Sequence, residues 1–242
     1  MNELAKVLVG RQLVDQLIIL FKGMSEEKID GIVTATKKQI RKDGLDTLKN
    51  ELTEKFLSQI ETLKKTGCPT NIINILESKL AEVVDKAAGM EFPEVKIPFL
   101  PIIPKSFLGL YGLINMVEYN GKRGETHLDP MLIINKTDTP VKPYFIYGVA
   151  DGEGTINSTL NHATKFVERQ DRKPLTSDEG IALCLHTKVL DSHAIYCLNS
   201  SYDGQKNSII QISIKANRPL LDWANEGNID KNGGSPSCSS LY

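Results

Sequence analysis

The sequence predicts an α+β protein: an N-terminal helical bundle of about four helices over residues 1–90, then a mixed strand and helix domain over 91–242. Two observations carry this expectation. Composition shifts near residue 90, because of 11 prolines only Pro69 lies before it, whereas all seven tyrosines lie after it. Apolar spacing shifts at the same place, from every three or four residues to alternation. A length of 242 residues suits one or two domains at about 150 residues each.

In the first part, Ile29, Ile32, Val33 and Ile40, then Leu45, Leu48, Leu52, Phe56, Ile60 and Leu63, recur at helical spacing. Ser25 ahead of Glu26 and Glu27 is a helix start: the hydroxyl can cap free amides, and the acids suit the positive end of the dipole. Gly44 is expected to break the run and Thr66-Gly67-Cys68-Pro69 to end it. A last helix carries Ile72, Ile73, Leu76, Leu80, Val83 and Val84 on one face. With the residues from about 3 onward this makes four helices by about residue 88. Such stripes form a bundle core, or else a partner surface on the N-terminal helices.

The second part opens with Ile97-Pro98-Phe99-Leu100-Pro101, too proline-dense for a central strand and therefore an extended or edge segment. Leu113 to Tyr119, Met131 to Ile134 and Tyr144 to Val149 read as strands, and Asn120-Gly121 as a hairpin turn. Thr176 and Glu179 form a capping box that starts a helix. Ile210, Ile212 and Ile214 alternate with Gln211 and Ser213, as in a half-buried strand.

Composition narrows the function classes. Lys+Arg 29 against Asp+Glu 30 gives a net charge of −1, which argues against a nucleic-acid partner. No apolar run reaches the roughly 18 residues of a membrane span, and the start lacks the order of a signal peptide. Four cysteines, Cys68, Cys184, Cys197 and Cys238, are too few for a disulfide scaffold. The expected setting is cytoplasmic and reducing, with no membrane partner.

Three motifs fail on chemistry. Asn135-Lys136-Thr137-Asp138 matches the guanine-reading motif of GTPases, but no glycine-rich phosphate loop accompanies it. Asp151-Gly152-Glu153-Gly154-Thr155 resembles a calcium loop, yet its first and twelfth positions fall on Val149 and Leu160. Cys184, His186, His193 and Cys197 do not make a zinc site, because helical residues two apart diverge by about 200°. No metal and no cofactor is expected.

The least ordinary stretch is Gly233-Gly234-Ser235-Pro236-Ser237-Cys238. A glycine-rich turn with hydroxyls and a thiol can supply amides for an anion and a nucleophile. Its base would be His186 or His193, oriented by an acid such as Asp178.

Pro174-Leu175-Thr176-x-Asp178-Glu179-Gly180-Ile181-Ala182-Leu183, preceded by Arg172, resembles a block in an uncharacterised bacterial family described only as a domain of unknown function. The resemblance extends to Ile97-Pro98-Phe99, Gly121-Lys122-Arg123-Gly124, Tyr147, Asp151-Gly152 and Thr155-x-Asn157. It resumes at Arg218-Pro219-x-Leu221-x-Trp223 and Gly227-Asn228, and closes with Gly234-Ser235-x-Ser237-Cys238. A short piece near the start, Arg11-Gln12-x-Val14-Asp15-x-Leu17 with Gly23, is also similar. Where the family carries further tryptophans, a cysteine and a histidine, this chain has Ala224, Asn225, Asp230 and Asn232. Residues 40 to 88 look like added helical material. The resemblance implies no particular activity.

Two functions of different class are expected. The first is a module binding a small molecule or a protein at the Thr176 helix start and the C-terminal turn, using Arg172, Thr176, Asp178, Glu179, Ser235, Ser237 and Trp223. In that arrangement Arg172 either meets an anion or pairs with Asp178 or Glu179. The alternative is a thiol-dependent hydrolase or transferase with Cys238 as nucleophile and His186 or His193 as base.

Overall fold

A computed structural model describes residues 26–90, 97–225 and 232–239. The expectations for residues 3–25, and for Gly227, Asn228 and Asp230, lie outside these. Packing divides the chain into two units, at Leu48 and Lys49. The described part of the first belongs to helix α1, Glu26–Lys65. There Gln39 donates to the Asp43 carboxylate at 2.7 Å, and Leu45 and Leu48 are exposed.

Gly44 does not break α1, contrary to expectation. A helical glycine costs about 1 kcal/mol relative to alanine, which one residue in so long a helix absorbs. Termination falls at Gly67 as predicted, because two hydrogen bonds close the end. Cys68 N–H donates to Leu63 O at 3.0 Å and Gly67 N–H to Lys64 O at 3.2 Å, the Schellman arrangement.

The second unit contains α2 (Thr70–Glu77) and α3 (Leu80–Ala88), so the expected last helix is two, parted at Ser78 and Lys79. Three helices are therefore described before residue 90, and their buried residues share one core with the strands that follow. Phe56 of α1 stacks on Phe145 with centroids 5.4 Å apart, and Phe99 meets both rings at 6.2 Å. The compositional shift near residue 90 does not coincide with a break in packing.

Strand β1 (Ile97–Ile102) pairs antiparallel with β6 (Tyr144–Val149), in the register Phe99↔Tyr147 and Ile102↔Tyr144. This sheet has two strands, so Pro98 and Pro101 are tolerated as predicted. Leu113–Tyr119 is a correction: after α4 (Lys105–Leu108), residues Leu110–Met116 form helix α5. An apolar run this short does not separate strand from buried helix, and here it packs beside a second helix. The predicted hairpin follows, β2 (Glu118–Tyr119) and β3 (Lys122–Arg123), with φ of 48° at Asn120 and 74° at Gly121.

Asp129 caps a 3-10 turn over Pro130–Leu132 before β5 (Ile133–Asn135), so the expected strand at Met131–Ile134 begins two residues late. Helix α6 (Leu160–Arg169) leads to β7 (Arg172–Pro174), and α7 (Ser177–His186) opens with the predicted capping box. A five-stranded sheet lies beneath α7. Its order is β12 (Gly233–Gly234), β8 (Ala194–Cys197), β10 (Ser208–Lys215), β11 (Arg218–Asn225) and β4 (Glu125–Thr126). Gly180 packs directly on Cys197 Sγ, with Ile195 and Ile212 alongside. The remaining pairs are β5 with β9 (Ser200–Tyr202) and β7 with β13 (Ser237–Ser239). Among the described residues, seven α-helices with mixed sheets make an α+β architecture, and no helix is long and apolar enough to cross a membrane.

Candidate functional site

The first two turns of α7 are buried from Ser177 through Cys184, so their polar groups require partners inside the protein. They have them. Thr176 N–H donates to Glu179 Oε2 at 2.7 Å, and Tyr144 Oη donates to Oε1 at 2.9 Å. Lys105 N–H donates to Asp178 Oδ2 at 2.8 Å, and Ser177 Oγ to Oδ1 at 3.2 Å. Ser177 N–H donates to Ser200 Oγ at 2.8 Å, which donates on to Asn135 Oδ1 at 2.7 Å. Burial raises both carboxyls above the usual range, and these hydrogen bonds offset only part of that rise. The Ser177 and Glu179 amides, expected to be open to an anion, are engaged within the chain.

Arg172 is also engaged, though with neither Asp178 nor Glu179 among its hydrogen bonds. Its Nε donates to Ser237 Oγ at 2.8 Å, and one terminal nitrogen donates to Ser237 O at 2.9 Å and Gly148 O at 2.5 Å. The guanidinium thus rivets β6 to β13. Ser235 N–H donates to Thr155 Oγ1 at 2.7 Å, and that hydroxyl donates to Gly152 O at 2.8 Å. The calcium-like loop is therefore the clamp that holds the C-terminal strand. Asn135 and Thr137 of the guanine-like motif serve the fold in the same way, accepting from Ser200 and Asn199.

Cys238 lies on β13 opposite Lys173 and is 1% exposed. Burial, with Glu179 adding to it, pushes its thiol up to about 12 against the pull of Arg172 and Lys173. Among the described residues no hydrogen bond joins Cys238 to an imidazole. His193 is buried, with Nε2 3.1 Å from Asp151 O, which fixes a proton on that nitrogen. His186 ends α7 with both ring nitrogens buried and unpartnered. Burial, with Lys55 adding to it, lowers it to about 3. Among the described residues no three His, Cys, Asp or Glu side chains cluster for a metal ion.

An open site lies on the sheet face opposite α7. Ile210 and Ile212 of β10 are buried, whereas Gln211 and Ser213 alternate with them and are half-buried. Gln211 sits in register between Tyr196 of β8 and Asp222 of β11. A groove of about 530 Å³ runs here, lined by Tyr196, Gln211, Ser213, Lys215, Trp223 and Asn225 among others. The Trp223 ring is parallel to Tyr202, centroids 6.4 Å apart. Sequence reasoning singled out Trp223 but missed Gln211, Ser213 and Lys215. Their signal was the polar phase of the β10 alternation.

A family model described as a family of unknown function, DUF5701, matches residues 58–229. No curated protein and no solved structure matches the chain. The matched region takes in the Arg172–Leu183 block, the groove-lining residues and the helical residues 58–88. Gly234-Ser235-x-Ser237-Cys238 lies beyond it. The match spans well over half of the sequence, and the chain belongs to DUF5701, a family of unknown function.

Proposed function

We propose that this chain is a small-ligand-binding module whose ligand occupies the groove across β8, β10 and β11. The observation that carries this reading is the groove itself. Its volume of about 530 Å³ falls within the ~300–1,000 Å³ that small-molecule sites occupy. Its lining sets Tyr196 beside the Gln211 and Asn225 amides, the Ser213 hydroxyl and the Lys215 ammonium, a set suited to a polar metabolite-sized compound. Ala224 and Asn225 line the same groove.

The thiol-dependent reading has less support, because Cys238 is buried and its thiol is pushed away from the thiolate.

Trp223 is the sole tryptophan of the chain and lies on β11, which borders the groove. Its ring packs with Tyr202 on the Ile210 side of the sheet, so its emission reports ligand-induced changes in that strand. A panel of sugars, amino acids, carboxylic acids and nucleosides is screened by thermal shift, and hits are titrated against Trp223 emission. The expected result is a hit that raises Tm, changes the emission saturably, and loses both effects in Gln211→Arg. A panel without such a hit, or hits that bind Gln211→Arg equally well, overturns the reading.

A further inference from the structure

A separate cavity of about 240 Å³ lies between α3 and the approach to β6. Lys79, Glu82 and Lys86 reach it from the start and body of α3, at spacings of three and four residues that share one helix face. Lys142 reaches it from the segment leading into β6. Among the described residues no carboxylate forms an ion pair with Lys79, Lys86 or Lys142. Three ammonium groups around one concavity repel each other, and Glu82 offsets one of them, leaving a dipositive wall.

Two features hold this charge in place. The Lys86 ammonium sits 4.5 Å above the Tyr147 ring centroid, attracted by the ring's negative face. Pro140 and Pro143 bracket Lys142 and restrict the backbone that carries it. Tyr147 keeps its proton, because burial, with Glu82 adding to it, pushes the phenol up to about 12.

We propose that this cavity binds the phosphate group of a small, soluble phosphate ester. A phosphate monoester carries between one and two negative charges near neutral pH and offers three strong acceptor oxygens. It can therefore meet lysines converging from two elements, where a monocarboxylate offers one charge. The volume of about 240 Å³ falls below the ~300–1,000 Å³ of sites for drug-sized ligands, so the carbon portion is small. Val83, Pro140 and Pro143 provide its apolar contact.

The test is calorimetric titration of the full chain with glycerol 3-phosphate and with inorganic phosphate, using glycerol as control. Saturable binding of glycerol 3-phosphate is expected, weakened about tenfold or more by Lys142→Glu and by Lys79→Glu. Lys122→Glu, on the distant hairpin, should leave it unchanged, as should Gln211→Arg in the sheet groove. Absence of saturable binding up to roughly 10 mM, or equal loss in Lys122→Glu, overturns the proposal. So does cosedimentation with phosphatidic acid vesicles without binding of the soluble ester, which would assign the lysines to a lipid headgroup. Trp223 emission stays silent in this experiment, so the two sites fail or succeed independently.

Discussion

The Tyr144 hydroxyl donates to the Glu179 carboxylate at 2.9 Å, joining β6 to the first turn of α7 across 35 residues of sequence. The carboxylate is buried, and its other oxygen accepts the Thr176 amide. Tyr144→Phe removes one donor and leaves a buried acceptor without its partner. The expected loss of stability is about 1–3 kcal/mol, read from urea unfolding at neutral pH. An unchanged unfolding midpoint would mean that the carboxylate finds another donor.

Gly152 supports the C-terminal strand by having no side chain. Its φ is 94°, and a Cβ placed there would stand 2.7 Å from Ser235 N and 2.8 Å from the Gly234 carbonyl carbon. Gly204 has a similar φ of 76° but open space around it. Gly204→Ala should therefore cost only the backbone strain, about 1–2 kcal/mol. Gly152→Ala should cost about 1–3 kcal/mol more, from overpacking. Equal Tm losses for the two variants would refute the clamp.

His186 makes stability depend on pH. Its folded pKa, lowered to about 3 from 6.5, means that the unfolded chain binds more protons between those values. The stability associated with the neutral ring is fully present above pH 6.5 and is lost as pH falls towards 3. Between pH 7 and pH 5 the loss is about 2 kcal/mol. His186→Leu should abolish that component, so the two proteins' unfolding curves diverge on acidification. Parallel curves would show that the imidazole is not isolated from water.

Cys238 should alkylate slowly, with no rate midpoint near pH 7, because an accessible thiol titrates near ~8.5 whereas this one is raised to about 12. Mass spectrometry of all four cysteines against pH checks this. A midpoint at or below pH 7 for Cys238 alone would restore the thiol mechanism.

The local features of this protein were legible in the sequence because neighbouring residues decide them. The Thr176 and Glu179 capping box, the Asn120-Gly121 turn, the helix end at Gly67 and the β10 alternation each rest on hydrogen bonds or side-chain phase within a few residues. Tertiary packing decided the rest. It made Leu110–Met116 a helix. It also closed the C-terminal turn, whose hydroxyls and thiol looked available. Arg172 and Ser237 are 65 residues apart in sequence, and their hydrogen bond turns two candidate ligand groups into a brace between strands. Lys86 and Lys142 are likewise distant in sequence, and line one cavity because α3 packs beside the approach to β6. Residue type and spacing specify what a side chain can do. Whether it faces water or a partner depends on segments that meet only when the core forms.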